Sequence, residues 1–534
     1  MNTRTFDYVI VGAGSAGCVL ANRLSVNPNH RVCLIEAGPE DKSFLTRVPV
    51  GVLGLMWDPR HNWKYYTEPE PFMNNRRMYC PRGKVLGGSS SVNAMVFTRG
   101  VPDDFDRWVE LGSDGWGWDD MLPHFKATQK QLRQGMDPEF HGYDGEQLVV
   151  DATSQNELSH DFLDAVVESG VAQRTDDLNA ADQEGVTLYQ VYQNGKGQRC
   201  SSAHAFLHPV RHRSNLTVMT GVFVEKIVFD GNEATGVQCK VNGVDSVINA
   251  DKEVVLSAGA INSPHLLMLS GIGDQAELEQ HNVPLVHHLP GVGKNLSDHI
   301  DIVVNTEVRG YKGIGLSIPF LIRSIPELFK YIFKRQGILT ANGAEAGGFV
   351  KSDLSLKNPD IQMLFSPAML EGHFMRRLGH GHCIHLYNVQ PKSRGFVKLK
   401  SNKPNEPLAI QFNYCEHPDD MAVMVKCVKI ARRILAAPSL FKSEKRMVLP
   451  SAEVQSDEEI EEFVRNHAET NYHPVGTCKM GVDELAVVDP SLRVHGLKRL
   501  RVVDASVMPA INSGNTHSNV IAIANKAAEM ILND

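Results

Sequence analysis

The chain opens on a short apolar run, Tyr8-Val9-Ile10-Val11, which passes at once into glycines and then into a stretch with helical spacing. An unbroken apolar run with two valines predicts a strand buried on both faces. Ser15 to about Leu24 predicts a helix, and Arg31 to Ile35 predicts a second strand ending in Glu36. Farther on, Asn215 to Phe229 alternates as strands do. Glu253 to Leu256 predicts a strand, followed by a turn and a helix with Ser263 as its cap and Pro264 in its first turn. Leu500 to Val503 predicts another buried strand, ending in Asp504, and a closing helix runs from about Val520 to Leu532.

The stretches between are less regular. Residues 40–80 hold Pro49, Gly51, Gly54, Pro59, Pro69 and Pro71 among several aromatics, the pattern of a long covering excursion. A short helix is predicted over Asp119–Lys126. Residues 129–200 have helical and loop character, with an amphipathic stretch from Leu158 to Val171. Ile314 to Arg335 is apolar and basic, with acid only at Glu327. Pro319 and Pro326 predict that it is broken rather than one long helix. Its uses are a cover over a substrate funnel, a subunit contact or a membrane-surface contact; the intramolecular cover is favoured.

A chain of 534 residues is too long for one simple core, so two or more domains are expected. The net charge of −8 gives no reason to expect nucleic acid as a partner. Nine cysteines are scattered without a C-x-x-C pair, which predicts reduced thiols and argues against a disulfide framework or a cysteine zinc site. The polar Met1–Phe6 runs straight into the first strand without a secretory signal, and no apolar run reaches membrane-spanning length. These features predict a cytoplasmic protein. His380, His382 and His385 alternate with apolar residues in a strand-like run without a carboxylate at a metal spacing, so no metal is expected.

The chemistry concentrates at the glycines. Gly12 permits a sharp turn, Gly14 lets the backbone approach a pyrophosphate, and Gly17 lets the helix pack on the strand. The helix N-terminus then faces the phosphate with free N–H groups. Glu36, nineteen residues after Gly17, stands where an acid meets a ribose hydroxyl. An acid there disfavours a 2′-phosphate but does not separate NAD from FAD. A second glycine and serine run, Gly87-Gly88-Ser89-Ser90-Ser91, follows Arg82 and Lys84 and offers bare backbone donors for an anion or a ring.

The segment Pro81–Phe97 resembles the first signature of the glucose–methanol–choline (GMC) family of flavin oxidoreductases, and Glu253–Gly273 resembles the second. Gly291–His299, Asn471–Gly481 and Ser513–Asn519 resemble further family stretches, so the likeness spans nearly the whole chain. Gly-Lys-Val-Leu-Gly-Gly-Ser-Ser-Ser, Tyr-His-Pro-Val-Gly-Thr-Cys and Glu345–Val350 look closest to the bacterial alcohol and choline dehydrogenase branch. The resemblance implies an α/β fold: a Rossmann-like FAD-binding domain interleaved with an α+β substrate domain built on an antiparallel sheet. The implied boundaries are 1–150, 200–300 and 465–534 for the first, and 151–199 and 301–464 for the second. It implies FAD held by Gly12, Gly14, Ser15, Ala16, Gly17, Glu36 and Ala37. Arg82, Val85, Gly87, Gly88, Ser89, Asn93, Ala94, Met95 and Val96 follow in the first signature. Val224, Ala258, Asp504, Ala505 and His517 complete the set. Relatives that bind FAD covalently do so through a histidine where this chain has Val92, so non-covalent FAD is expected.

The family's catalytic pair falls on His473 and His517, with Asn515 replacing His517 if the alignment slips by two. Alcohol oxidation removes a hydroxyl proton and a hydride, and an imidazole with a free pKa of ~6.5 can take the proton. His473 is the expected base, with His517 orienting the hydroxyl. The expected substrate is an uncharged primary alcohol, with choline as runner-up. The expected electron acceptor is a quinone or other carrier, with O2 as the alternative. A FAD-containing hydroxynitrile lyase on the same fold is a remote alternative, and flavin bleaching by an alcohol separates it.

Overall fold

The computed structural model describes residues 2–310, 313–371, 374–375 and 379–534. Its first sheet grows from the opening of the chain. Strand β1 (Asn2–Val11) leads through the glycine turn into helix α1 (Ser15–Leu24), which returns to strand β2 (Val32–Glu36) beside β1 in parallel register, Tyr8 against Val32 and Val11 against Ile35. Leu216–Thr220 continues the parallel sheet on the β2 edge. On the other side Val244–Leu256 runs parallel to β1 along nearly its whole length, and Leu500–Val502 pairs with its end. Val244–Leu256 serves two sheets' worth of pairing, because its first half also runs antiparallel to Glu233–Val241, which carries Phe223–Asp230. The two-sided burial expected of β1 and β2 is met: Val9, Ile10 and Val32 to Leu34 are fully buried.

The second large sheet is antiparallel throughout. Its centre is β3 (Ile300–Val308), which pairs with Gly379–Asn388. That strand carries Ile361–Ser366 and then Ala346–Val350. Glu444–Leu449 and the short Glu469–Thr470 both lie on the other side of β3. The two-residue pairing of Ile300 with Thr470 and Asp301 with Glu469 brings the chain back to the first sheet after the long middle section.

Several local expectations are revised. Ile318–Lys334 forms one helix, α2, despite its prolines. Pro319 occupies the first turn, where no internal N–H bond is lost. Pro326 is exposed, so the carbonyl it leaves without an amide partner meets solvent. The helix after Leu256 starts at Gly259, and Ser263 is inside it. Its hydroxyl donates to Asp504 rather than capping the helix. Residues 129–200 include strands at Gln129–Gln131, Gln147–Asp151 and Gly185–Leu188 beside helix Glu157–Glu168. The closing helix, α3 (His517–Asn533), begins three residues before its expected start. All nine cysteines are buried and none is in a disulfide. No helix among the described residues is long and apolar enough to cross a membrane.

Candidate functional site

A cavity of about 820 Å³ runs between the two sheets. At one end lies the cradle built by the first sheet. Gly12 adopts φ +100°, and a Cβ there would lie 2.5 Å from the Ser257 carbonyl oxygen, so only glycine makes this turn. A Cβ on Gly17 would meet the Gly12 carbonyl at 1.9 Å, which is how closely α1 packs on the turn. At Gly14 a Cβ would meet protein only at 3.8 Å and otherwise project into the cavity. No side chain caps α1, so its first amides are left for a ligand. Glu36 closes the cradle, its carboxylate accepting from the amides of Ala13 at 3.0 Å and Gly38 at 2.8 Å. Burial pushes this carboxyl up to about 7.

Most of the expected cofactor residues line this cavity. Gly12, Gly14, Ser15, Ala16, Glu36 and Ala37 form the dinucleotide end. Arg82, Gly88, Ser89, Asn93, Ala94, Met95 and Val96 form a second wall, and Val224, Ala258, Asp504 and Ala505 join them. Gly17, Val85 and Gly87 stand behind the lining. Val85 packs with Leu55 and Val92, and the Gly87 amide donates to the Ala13 carbonyl at 2.8 Å, tying the second glycine run to the first. Asp504 binds the structure together below the cavity. One carboxylate oxygen accepts from Gly259 N and Ser263 Oγ, the other from Ser506 N and Oγ. A bare cradle, an uncapped helix and a carboxylate at the end of β2 fit a dinucleotide such as FAD.

At the other end stands His473, buried and lining the cavity. Its Nε2 lies 3.1 Å from Asn515 Nδ2, and its Nδ1 lies 3.1 Å from His299 Nδ1. Asn515 Oδ1 accepts from Gln362 Nε2 and Thr98 Oγ1, each at 3.2 Å, so its amide nitrogen faces His473 as a donor. His473 Nε2 is therefore the unprotonated nitrogen, and its Nδ1 carries the proton toward His299. Burial, then His299 and Arg82, hold the His473 imidazole well below its ordinary pKa. Burial takes His299 down to about 3. The backbone is fixed as firmly: the His473 amide donates to Asp298 Oδ1 at 2.6 Å, and Arg82 donates to the Tyr472 carbonyl at 2.6 Å. Tyr414 and Thr470 hold the other Asp298 oxygen.

The hydrogen-bonding neighbour of His473 is Asn515, the alternative to His517. His517, the first residue of α3, turns its Nδ1 to Ser15 Oγ at 3.0 Å and sets its ring edge-on to Tyr192. It stands half-buried in the cavity wall, and desolvation takes it down to about 3. Asn515 occupies the place beside His473 because the loop before α3 is pinned. Asp104 accepts from Ser513 N at 2.7 Å and from Ser513 Oγ at 2.8 Å, and Thr98 Oγ1 accepts from Asn515 N at 2.8 Å.

Asp301 and Arg199 had no sequence signal of their own, and His385 was visible only as one of three alternating histidines. Asp301 and His385 both line the cavity from neighbouring strands, with Asp301 Oδ2 2.6 Å from His385 Nδ1. Burial alone would depress the His385 imidazole, but Asp301 holds it well above its ordinary value. Arg199 is buried beside Asn93, donating to Asn93 Oδ1 at 2.8 Å. Glu345 lies outside the cavity lining, with Oε2 accepting from Asn156 N at 2.7 Å and Ser159 Oγ at 2.8 Å.

A family model described as GMC oxidoreductase matches residues 6–301, and its C-terminal counterpart matches residues 391–524. The chain is 46% identical to an alcohol dehydrogenase [acceptor] of Pseudomonas putida, over 99% of this chain and 96% of the relative. It is 42% identical to an oxygen-dependent choline dehydrogenase of Escherichia coli, over 98% and 94%. The crystal structure of pyridoxine 4-oxidase from Mesorbium loti superposes with a TM-score of 0.88 at 30% identity, covering 99% of both chains.

Proposed function

The chain belongs to the GMC oxidoreductase family and is an FAD-dependent enzyme of alcohol oxidation, and from that premise we propose that His473 is its general base and Asn515 the partner that orients the substrate hydroxyl. The observation that carries this assignment is His473 Nε2 standing 3.1 Å from Asn515 Nδ2 on the wall of the same cavity that holds the glycine cradle. FAD, when bound, supplies the hydride acceptor. The chain's part is to hold the alcohol so that its hydroxyl proton reaches His473 Nε2, while Asn515 Nδ2 donates to the oxygen as charge develops on it. A neutral, buried imidazole is the form that accepts a proton. His517, bonded to Ser15, is proposed as a wall of the cofactor site rather than a member of the reacting pair.

An uncharged primary alcohol is the substrate class the cavity favours. Val303, Leu364, Leu370, Phe320 and Leu339 give it an apolar side. The Asp301 carboxylate, the kind of group that holds an ammonium, is already compensated by His385. Choline is therefore the weaker candidate. The proposed acceptor is a quinone or another carrier rather than O2, supported by the name of the Pseudomonas relative. Val92 lines the cavity next to Asn93 and offers no nucleophile, which supports non-covalent FAD. Acid precipitation is expected to release all the flavin colour into the supernatant; colour retained in the pellet would contradict this.

Anaerobic titration of the oxidised protein tests the substrate class. Medium-chain primary alcohols should bleach the flavin bands, choline should do so far more slowly, and air should restore colour slowly. Rapid reoxidation by air would make the protein an oxidase. A flavin that no alcohol bleaches would favour the lyase.

A further inference from the structure

Helix α2 turns the wrong way for a helix surrounded by water. Phe320 and Ser324, with Glu327 and Tyr331 on the same side, face inward, and Phe320, Ser324 and Leu328 line the cavity. Its outer face carries Ile318, Ile322, Ile325, Phe329, Ile332 and Phe333, spaced three and four apart except at the last step. All six are exposed, Phe333 at 79%, Ile318 at 75% and Ile322 at 63%. Phe44, also exposed, meets the inward-facing Tyr331 edge-on with ring centroids 6.3 Å apart, so the short helix Phe44–Arg47 packs beside α2 and adds its own exposed apolar side chain.

The charges beside the strip have one dominant sign. Lys330, Lys334 and Arg335 are exposed on α2 and its end, and Lys42 and Arg47 flank Phe44. The single acid of α2, Glu327, is turned inward, where Oε2 accepts from the Ile338 amide at 3.1 Å and Lys330 Nζ lies 3.6 Å from Oε1. Glu40 and Asp41, beside Phe44, are held by Arg211 and His208.

We propose that this strip docks the protein on the surface of an anionic lipid bilayer, with α2 lying in the interface plane. Apolar side chains on one face with lysines and arginine along its edge are what such a surface recognises: the acyl boundary takes the first and lipid phosphates take the second. A second copy of the chain is the poorer occupant. A two-fold contact would bring together two strips of the same positive sign, with Glu327, the single acid of α2, turned inward on each. Docking also gives the helix a role, because its inner side roofs the cavity. A docked protein takes its substrate where long-chain alcohols and lipid-soluble acceptors partition. That last step rests on the alcohol assignment; the docking itself does not.

The test is co-sedimentation of the full-length holoprotein with vesicles. Vesicles of phosphatidylglycerol and phosphatidylethanolamine are compared with pure phosphatidylcholine, at low and high salt. The wild type should sediment with the anionic vesicles and be released by salt. The triple variant Ile322→Ser, Phe329→Ser, Phe333→Ser should partition about tenfold more weakly or less. It should keep its flavin and its rate of reduction by a short, water-soluble alcohol, since none of the three residues lines the cavity. The variant Lys330→Gln, Lys334→Gln should bind with little preference for anionic lipid, and it decides the matter if the triple variant fails to fold. Wild type left in the supernatant with anionic vesicles overturns the proposal, as does unchanged sedimentation of both variants. A wild-type dimer that ignores vesicles and dissociates in the triple variant would assign the strip to self-association.

Discussion

At the scale of single residues, the groups around His473 all disfavour its charged form. Burial removes the water that would solvate an imidazolium, Arg82 adds like charge nearby, and the adjoining His299 disfavours a second positive charge beside it. A folded pKa below the free value of ~6.5 means that the base stays unprotonated as the medium becomes mildly acidic. The kcat/KM for flavin reduction by alcohol should therefore keep its plateau below pH 6.5, with the acid limb at lower pH. An acid limb at or above pH 6.5 would contradict the depressed pKa. The choice between Asn515 and His517 shows where sequence runs out. Both lie in Ser-Gly-Asn-Thr-His, two residues apart, and which one reaches His473 depends on where α3 begins. That start is set by distant groups, Asp104 and Thr98, more than four hundred residues upstream. The Asp301–His385 pair was hidden for the same reason: the histidine was visible, but its carboxylate lies on another strand.

At the scale of elements, the β1–α1–β2 unit was legible because every constraint on it is local. Gly12 must turn, Gly17 must let α1 close on that turn, and the acid follows at the end of the next strand. Gly12→Ala would force a Cβ to 2.5 Å from the Ser257 carbonyl oxygen at a φ that alanine disfavours. We expect it to cost about 1–3 kcal/mol of stability and to weaken flavin retention, measured by thermal unfolding and by flavin lost on gel filtration. A variant with wild-type Tm and flavin content would show that the turn has more room than its geometry gives. Helix α2 and the helix at Gly259 were misjudged by the same kind of rule. Proline and serine usually mark boundaries, yet Pro326 is tolerated on an exposed side and Ser263 is occupied by Asp504. The antiparallel sheet had weak signals, since β3 pairs with a strand about eighty residues away and no turn sequence announces it.

At the scale of the whole molecule, the chain crosses between its two sheets at the same seam twice. Asp298 and His299 lie just before β3, and Glu469–His473 returns beside them, with the Asn471 amide donating to the His299 carbonyl at 2.9 Å. The proposed base therefore sits at the joint of the two sheets, while the cofactor cradle belongs to the first sheet alone. This division predicts that base and cradle can be separated by mutation. The most direct measurement is anaerobic stopped-flow reduction of the flavin by a good primary alcohol in His473→Ala beside the wild type. The variant should be yellow, hold its flavin as tightly as the wild type and be reduced about 10²–10⁴-fold more slowly. A His473→Ala protein whose flavin is reduced at the wild-type rate would contradict the assignment of the base and, with it, the account of how the two sheets share the chemistry.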